Sequence, residues 1–295
     1  MDLPQVRFEG RPSFRSQPLT ARRVLIPPAR PGAPRVAGPT PRRDGVPALV
    51  LARAGLDPAC YRAGPIERRL PACLRALKAA TEPAARERLA SHPALLEPAL
   101  SAVLIGVSGF FRDEPVFESL GARVVPALAA RGRPPRVLSL GCSTGAELYS
   151  VAMLLVDARL LAGAELVGID CRPDAIARAR AGVYSTSELA GVGAGRFARH
   201  FAPARSGARV AEPLRRATRW RVADATRELA IGDWDLVLCR NLFIYLQPPV
   251  VEGMFERIAA ALPPGGFLVV GKAERPPAHL PFAALARCVY ERHAG

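Results

Sequence analysis

The stretch that decides the fold is Arg136 to Met153, with the sequence RVLSLGCSTGAELYSVAM. Residues 136–140 form a short apolar run that is typical of a buried strand. A turn of small residues follows at 141–145, and a helical pattern begins at Ala146. Glycine in such a turn permits a positive φ and lets a ligand come close to the backbone. This order of elements is typical of the cofactor corner of a doubly wound α/β sheet, although a plain turn without a ligand would show the same pattern.

Downstream of this stretch, strand-like and helical patterns alternate, which favours a parallel sheet in a Rossmann-like α/β fold. The further predicted elements are strands at 165–169, 220–222, 235–239, 267–271 and 285–291, and helices at 173–181 and 248–262. The weakly patterned segment from 182 to 218 predicts an inserted loop or a small hairpin.

Upstream of the central stretch the chain divides into two parts. Residues 1–45 contain nine prolines and nine arginines, which predicts a disordered basic tail. Residues 46–106 space their apolar positions three and four apart and predict a small all-helical subdomain, with one of its helices at 65–80. The α/β domain then occupies 107–295, with a short insertion near 185–218.

The composition argues against several classes of protein. Apolar residues make up 49% of the chain, which is enough for a sizeable core. Six scattered cysteines without a C-x-x-C pair fit reduced thiols in a cytoplasmic protein, and four well-separated histidines give no support for a metal site. No apolar stretch is long enough to insert into a membrane, and the start of the chain lacks the apolar region of a signal peptide.

The net charge of +15 suits anionic partners. Charge by itself concerns solubility and non-specific binding rather than activity. Nucleic-acid binding through the basic tail is therefore an alternative and not the expected function. Strongly salt-dependent binding that vanished when residues 1–45 were deleted would reveal it.

The glycine turn also bears on the choice of cofactor. It matches neither G-x-G-x-x-G nor G-x-x-x-x-G-K-[ST], so NAD and ATP are poorly supported. Asp170 ends the predicted second strand, where a carboxylate accepts hydrogen bonds from a ribose diol; the alternative role is a cap on the next helix. These features favour S-adenosylmethionine (SAM), which needs a close backbone approach and an acidic partner for its ribose.

An ordered set of motifs resembles the CheR-type chemotaxis receptor methyltransferases. The motifs are FFRD at 110–113, CSTG at 142–145, Tyr149-Ser150, Asp170 and CRNLFIY at 239–245, within a likeness that covers roughly residues 47–292. The resemblance implies a Rossmann-like, SAM-dependent methyltransferase domain that follows a helical subdomain. It further implies methyl transfer to glutamate side chains on the cytoplasmic helical bundle of a methyl-accepting chemoreceptor, with S-adenosylhomocysteine (SAH) as the product.

The resemblance also implies the site residues. Cofactor contacts would fall on Ser108, Arg112, Gly141, Glu147, Asp170, Asp224, Ala225, Arg240 and Asn241. Arg112 and Tyr245 match the positions nearest the transferred methyl group, so they are the catalytic candidates. Arg112 would orient the incoming carboxylate, or alternatively pair with Asp113. Tyr245 would line the methyl channel or be a packed core residue, and Glu147 could simply favour the start of its helix.

Some positions depart from the family pattern. Gly106 stands where an asparagine is usual, and Ala146 replaces a glutamate. The short segment between Phe201 and Trp220 resembles family members that do not bind a receptor's tether peptide. Two alternatives follow from these departures: a SAM-dependent methyltransferase with another substrate, or a catalytically degenerate regulatory protein that binds SAM or SAH.

Overall fold

A computed structural model describes residues 37–106, 108–227 and 232–294. Residues 1–36 of the predicted tail therefore lie outside the described residues. Its described end is hydrogen-bonded to other parts of the chain: the N–H of Gly38 donates to Gln247 Oε1 at 3.0 Å, and the N–H of Arg42 donates to Glu67 Oε1 at 3.0 Å. These bonds fix the chain just before the first helix.

The region after this end is helical. Its helices are α1 (Val46–Arg53), α2 (Ala63–Glu67), α3 (Leu70–Ala76), α4 (Glu82–Ser91) and α5 (Leu96–Val103). The single helix predicted at 65–80 is wrong, because the chain forms α2 and α3 with a break between them. Pro71 explains the break, since it lacks the N–H that would continue the helix through this point.

A second helical stretch leads into the sheet. It consists of α6 (Glu114–Ser119), a wide π turn at Leu120–Val124 and α7 (Val125–Ala129). The wide turn ends two residues before Pro126, whose missing N–H interrupts the regular α-helical hydrogen bonds.

The central sheet has seven strands, and its fold class is the predicted one. The strands are β1 (Arg136–Leu140), β2 (Glu165–Asp170), β6 (Thr218–Val222), β7 (Leu236–Cys239), β8 (Phe267–Val270), β9 (Phe282–Ala286) and β10 (Val289–Arg292). Their order is β6-β2-β1-β7-β8-β10-β9, and the first five strands are parallel to one another. The helices that accompany them are α8 (Ala146–Asp157), α9 (Pro173–Ala181) and α12 (Pro248–Ala261).

The prediction of a single last strand at 285–291 is wrong. This segment contains the turn of an antiparallel hairpin, in which β9 pairs with β10 and β10 pairs with β8. The turn passes through Cys288, which has a φ of 65°. A turn of this kind usually carries glycine or asparagine, and neither residue stands at this position to indicate it.

The insertion is more structured than the predicted loop or small hairpin. It contains β3 (Val183–Tyr184), α10 (Ala194–His200), β4 (Phe201–Ala204), β5 (Gly207–Val210) and α11 (Glu212–Ala217). The three strands form a separate antiparallel sheet in the order β3-β5-β4.

The sheet topology determines where a ligand can bind. The chain proceeds from β1 to β2 on one side, whereas β7 pairs with β1 on the other. The strand order therefore reverses at β1, and a crevice forms at the carboxyl ends of β1 and β7. None of the helices in the described ranges is both long and apolar enough to cross a membrane.

Candidate active site

A cavity opens at the carboxyl ends of the parallel strands. It encloses about 1160 Å³ of empty space, including its open mouth. All ten site residues predicted from the sequence line this one cavity: Ser108, Arg112, Gly141, Glu147, Asp170, Asp224, Ala225, Arg240, Asn241 and Tyr245. The structure thus brings together residues that are up to 137 positions apart in the chain, while their individual roles stay predictions.

The glycine turn after β1 forms one wall of the cavity. Gly141 has a φ of 67° and Gly145 a φ of 86°, a region that side chains other than glycine rarely adopt. A Cβ on Gly145 would also lie 2.6 Å from the ring of Trp220. Glycine is therefore required at position 145 both for its backbone conformation and for the close approach of β6.

Asp170, at the end of β2, holds the neighbouring turns in place. Its buried carboxylate accepts hydrogen bonds from the backbone N–H of Ser143 at 2.8 Å and from that of Arg172 at 3.0 Å. The Arg172 guanidinium donates two more, from Nε at 3.0 Å and from Nη2 at 3.2 Å. Burial disfavours the charged guanidinium, but the adjacent carboxylate outweighs that effect and raises the pKa of Arg172.

Asp224 follows β6 and presents one occupied and one unoccupied acceptor. Its Oδ1 accepts hydrogen bonds from the N–H and the hydroxyl of Thr226, at 2.8 and 2.7 Å. Its Oδ2 is buried and accepts no hydrogen bond in the described part of the chain, although Arg227 Nε lies 3.8 Å away as an ion-pair partner. A buried acceptor of this kind is costly unless something donates to it.

Arg240, at the end of β7, ties three parts of the site together. Its side chain is only 3% exposed, and it donates to Glu147 Oε2 at 3.0 Å and to Asp113 Oδ2 at 2.7 Å. Lys272 also pairs with Asp113. Partial burial would raise the pKa of Asp113, but Lys272, Arg240 and Arg112 outweigh it and lower that pKa. Asp113 is therefore a stable carboxylate between cationic side chains.

Glu274 supports the loop that follows β7. Its buried carboxylate accepts the backbone N–H groups of Asn241 at 2.8 Å, Phe243 at 2.9 Å and Gly271 at 2.6 Å. Burial nevertheless raises the pKa of Glu274, because it disfavours the ionised form more than these bonds favour it. Asn241 needs such support since its backbone has a φ of 60°.

The two catalytic candidates both line the cavity and keep part of their surface exposed. Arg112 is exposed, directly after the buried Phe110 and Phe111. Tyr245 is half-buried on a short 3₁₀ helix, Phe243–Tyr245, and its carbonyl accepts the N–H of Arg62 at 2.9 Å. Tyr245 is thus not enclosed in the core, and the helical subdomain contacts the site through its backbone.

The deciding observation is a match of residues 106–284 to the family described as "CheR methyltransferase, SAM binding domain", over more than half of the chain. The chain belongs to this family. The predicted resemblance is thereby confirmed, and the cofactor of this CheR-family protein is SAM.

Curated relatives agree with the family. The "Probable biofilm formation methyltransferase WspC" of Pseudomonas aeruginosa is 34% identical over 77% of this chain and 55% of its own length, and that of Pseudomonas putida is 38% identical over 59% and 43%. The "Chemotaxis protein methyltransferase 1" of Pseudomonas aeruginosa is 32% identical over 61% of this chain and 70% of its own length. The alignment to the WspC proteins spans only about half of their length.

The residues of the cavity fit SAM. The Oδ2 of Asp224 accepts no hydrogen bond from the described residues and faces only Arg227 Nε at 3.8 Å, so it suits an amine donor such as that of adenine. The Asp170 carboxylate lines the same cavity at the end of β2, the position of a ribose-binding carboxylate in this kind of sheet. The described residues contain no group of three histidine, cysteine, aspartate or glutamate side chains that could hold a metal ion, and the six cysteines form no disulfide.

Sequence reasoning missed several residues of this CheR-family site. Those that line the cavity include Tyr61, Gly106, Ser143, Arg172 and Thr226. The sequence offered one usable signal, since Arg172 comes two residues after Asp170 and could be expected to reach its carboxylate. Glu274 gave no such signal, because nothing local shows that it accepts the N–H groups of Asn241 and Phe243, which lie more than 30 positions earlier in the chain.

Proposed function

We propose that this chain methylates glutamate side chains on the cytoplasmic helical bundle of a methyl-accepting chemoreceptor or a similar signalling protein. The products would be glutamate methyl esters and SAH. The observation that carries the proposal is the family match over residues 106–284, which spans the cavity lined by all ten predicted site residues. Such a substrate places the protein in the cytoplasm, without insertion into the membrane.

The chemistry requires little acid–base catalysis. A glutamate carboxylate is already ionised at pH 7, so it can attack without a general base. When bound, SAM supplies an electrophilic methyl group on a positively charged sulfur. A carboxylate oxygen of the substrate would form a bond to that methyl carbon as the carbon–sulfur bond breaks, and no proton would be transferred. The task of the protein is therefore to align the two reactants at about 3 to 3.5 Å.

Arg112 and Tyr245 are the side chains to which we assign this alignment. Both line the cavity, and neither is enclosed in the core. An exposed guanidinium can orient a carboxylate through two parallel hydrogen bonds. Tyr245 presents a ring and a hydroxyl in the same cavity, where it would border the path of the methyl group.

The surface around the mouth suits a protein substrate. Ile105 and Ile244 line the cavity and are each 38% exposed, which is unusual for large apolar side chains. Arg62 is exposed and donates its backbone N–H to the carbonyl of Tyr245, and Arg68 and Arg75 are further exposed basic residues of the same helical subdomain. These features fit an acidic helical partner that places a glutamate against an apolar rim. We propose no role for a receptor tether peptide.

The test is a methylation assay with radiolabelled SAM and a soluble cytoplasmic fragment of a chemoreceptor. The expected product is labelled receptor that releases methanol under mild alkali, as carboxyl methyl esters do. Calorimetric titration with SAH reports cofactor binding separately. Asp170→Ala is expected to abolish both signals, whereas Arg178→Ala, which removes a charge from an exposed pair with Glu188, is expected to preserve both.

Two outcomes would contradict the proposal. Alkali-stable label would indicate a methyltransferase with another class of substrate. SAH binding without any transfer to receptor fragments would indicate a regulatory protein that binds the cofactor and has lost catalysis.

A further inference from the structure

None of the sequence motifs assigns a role to Arg172. It lies between β2 and α9, is 7% exposed and lines the cavity beside Asp170. Its Nη1 also donates to the carbonyl of Leu104 at 3.3 Å, so the guanidinium joins the helical subdomain to the end of β2. A buried arginine in a pocket for a ribose demands an explanation, because this charge is retained only with a partner.

The hydrogen bonds of Asp170 provide that explanation. A carboxylate has about four acceptor positions, two on each oxygen. Backbone N–H groups fill one position on each oxygen, from Ser143 on Oδ2 and from Arg172 on Oδ1. The Arg172 side chain fills the other two, with Nε on Oδ1 at 3.0 Å and Nη2 on Oδ2 at 3.2 Å. The carboxylate therefore has no acceptor position left.

A ribose diol also presents two donors, one for each carboxylate oxygen. The side-chain donors of Arg172 thus stand in the same relation to Asp170 as the two hydroxyls of a bound ribose would. We propose that Arg172 competes with the cofactor ribose for Asp170, so that cofactor binding must release the guanidinium and the Arg172–Asp170 pair sets the affinity. This inference rests on the cofactor site of the proposed function.

Gly106 makes the competition possible. A Cβ at this position would lie within 2.5 Å of Arg172 Cζ and closer still to both terminal nitrogens, so a side chain there and the observed guanidinium cannot coexist. The backbone of Gly106 does not have a positive φ, so an alanine is not excluded by conformation. Gly106→Ala therefore displaces the guanidinium without removing its charge.

The first measurement is SAH affinity by calorimetry for Arg172→Ala and Arg172→Met, the latter keeping an apolar stem. Losing an internal competitor that makes charge-assisted hydrogen bonds should tighten SAH binding by about tenfold or more. SAH is chosen because it lacks the sulfonium charge, so removing a cation from the pocket adds no direct repulsion or attraction at the sulfur. Arg178→Ala is the matched control, because it also removes one positive charge but from a residue of α9 that does not line the cavity.

A second ligand separates competition from a general change in the pocket. The 2′-deoxyribose analogue of SAH needs one acceptor position on Asp170 instead of two. Its affinity should therefore rise less than that of SAH when Arg172 is replaced. Equal gains for both ligands, unchanged affinity or weaker binding would each overturn the inference.

The double variant supplies an independent check. Gly106→Ala alone should tighten SAH binding, and in the Arg172→Ala background it should change nothing, because the atoms it displaces are gone. Additive effects would contradict competition. Asp170→Ala distinguishes failure of the competition from failure of the cofactor site. Retained SAH binding in Asp170→Ala would refute the proposed cofactor site. Lost SAH binding in Asp170→Ala, together with no gain of affinity in Arg172→Ala, would refute only the competition.

Discussion

Arg240 and Glu147 join the end of β7 to the start of α8, with Nη1 of the arginine 3.0 Å from Oε2 of the glutamate. The Ser139 hydroxyl donates to the other glutamate oxygen at 3.0 Å. Glu147 therefore does more than favour the start of its helix, because it anchors the guanidinium that also holds Asp113. The position of the FFRD segment relative to the sheet depends on this chain of charges.

Replacing Arg240 should be strongly destabilising. Arg240→Ala leaves Glu147 and Asp113 without their shared partner, and breaking a buried pair in this way costs about 3–5 kcal/mol. The measurement is urea denaturation followed by circular dichroism. Arg219→Ala, at an exposed position of β6, is the control and should change the free energy of unfolding by less than about 0.5 kcal/mol. Equal effects of the two variants would show that the Arg240 network contributes nothing.

Protonation of Asp113 should destabilise the folded protein at acidic pH. Its pKa is lowered in the folded state, so its contribution is complete above its unfolded pKa of about 4 and is lost as the pH falls through the lower folded value. Asp113→Asn removes this contribution and still tolerates the φ of 64°. The difference in unfolding free energy between wild type and variant should shrink between pH 5 and pH 3. Asp44→Asn, at an 81% exposed side chain, should show no such trend.

Much of the fold and of the site could be predicted from local patterns in the sequence. The strand at 136–140, its glycine turn and the carboxylate that ends β2 could each be predicted, because a buried strand and a tight turn impose residue types on adjacent positions. The competition at Asp170 could not be predicted, since it depends on the missing side chain of Gly106, 66 positions away from Arg172. The role of Glu274 and the hairpin at Cys288 could not be predicted for a related reason, because their contacts are set by tertiary packing.

Two glycines should respond in opposite directions to the same substitution. Gly145→Ala forces a side chain into a positive φ and against Trp220, so it should destabilise the protein by more than about 1 kcal/mol. Gly253→Ala lies within α12, where a Cβ meets nothing within 4 Å, and should stabilise it by about 0.5–1 kcal/mol through helix propensity. Thermal unfolding of both variants is the measurement. A stable Gly145→Ala protein would mean that β6 does not approach the turn as closely as described.

Asp224 should discriminate between ligands through its Oδ2 oxygen. Asp224→Ala removes an acceptor that receives no hydrogen bond from the described residues and only faces Arg227 Nε at 3.8 Å, and should weaken SAH binding by about tenfold. The inosine analogue of SAH, which lacks the amine donor, should bind wild type and variant with similar affinity. If both ligands lost affinity equally, Asp224 would support the loop rather than contact the base.

Arg112 provides the most direct test of the proposed chemistry. If its guanidinium orients the substrate carboxylate, Arg112→Ala should lower kcat/KM for receptor fragments by about a hundredfold, an effect typical of a lost positioning group. Arg112→Lys should recover only part of this loss, because an ammonium cannot form the two parallel hydrogen bonds of a guanidinium. SAH affinity, measured by calorimetry on the same preparations, separates orientation from cofactor binding. Unchanged turnover in Arg112→Ala would refute the role in orientation. A loss of turnover that only matched the loss of SAH affinity would instead make Arg112 a residue that holds the cofactor.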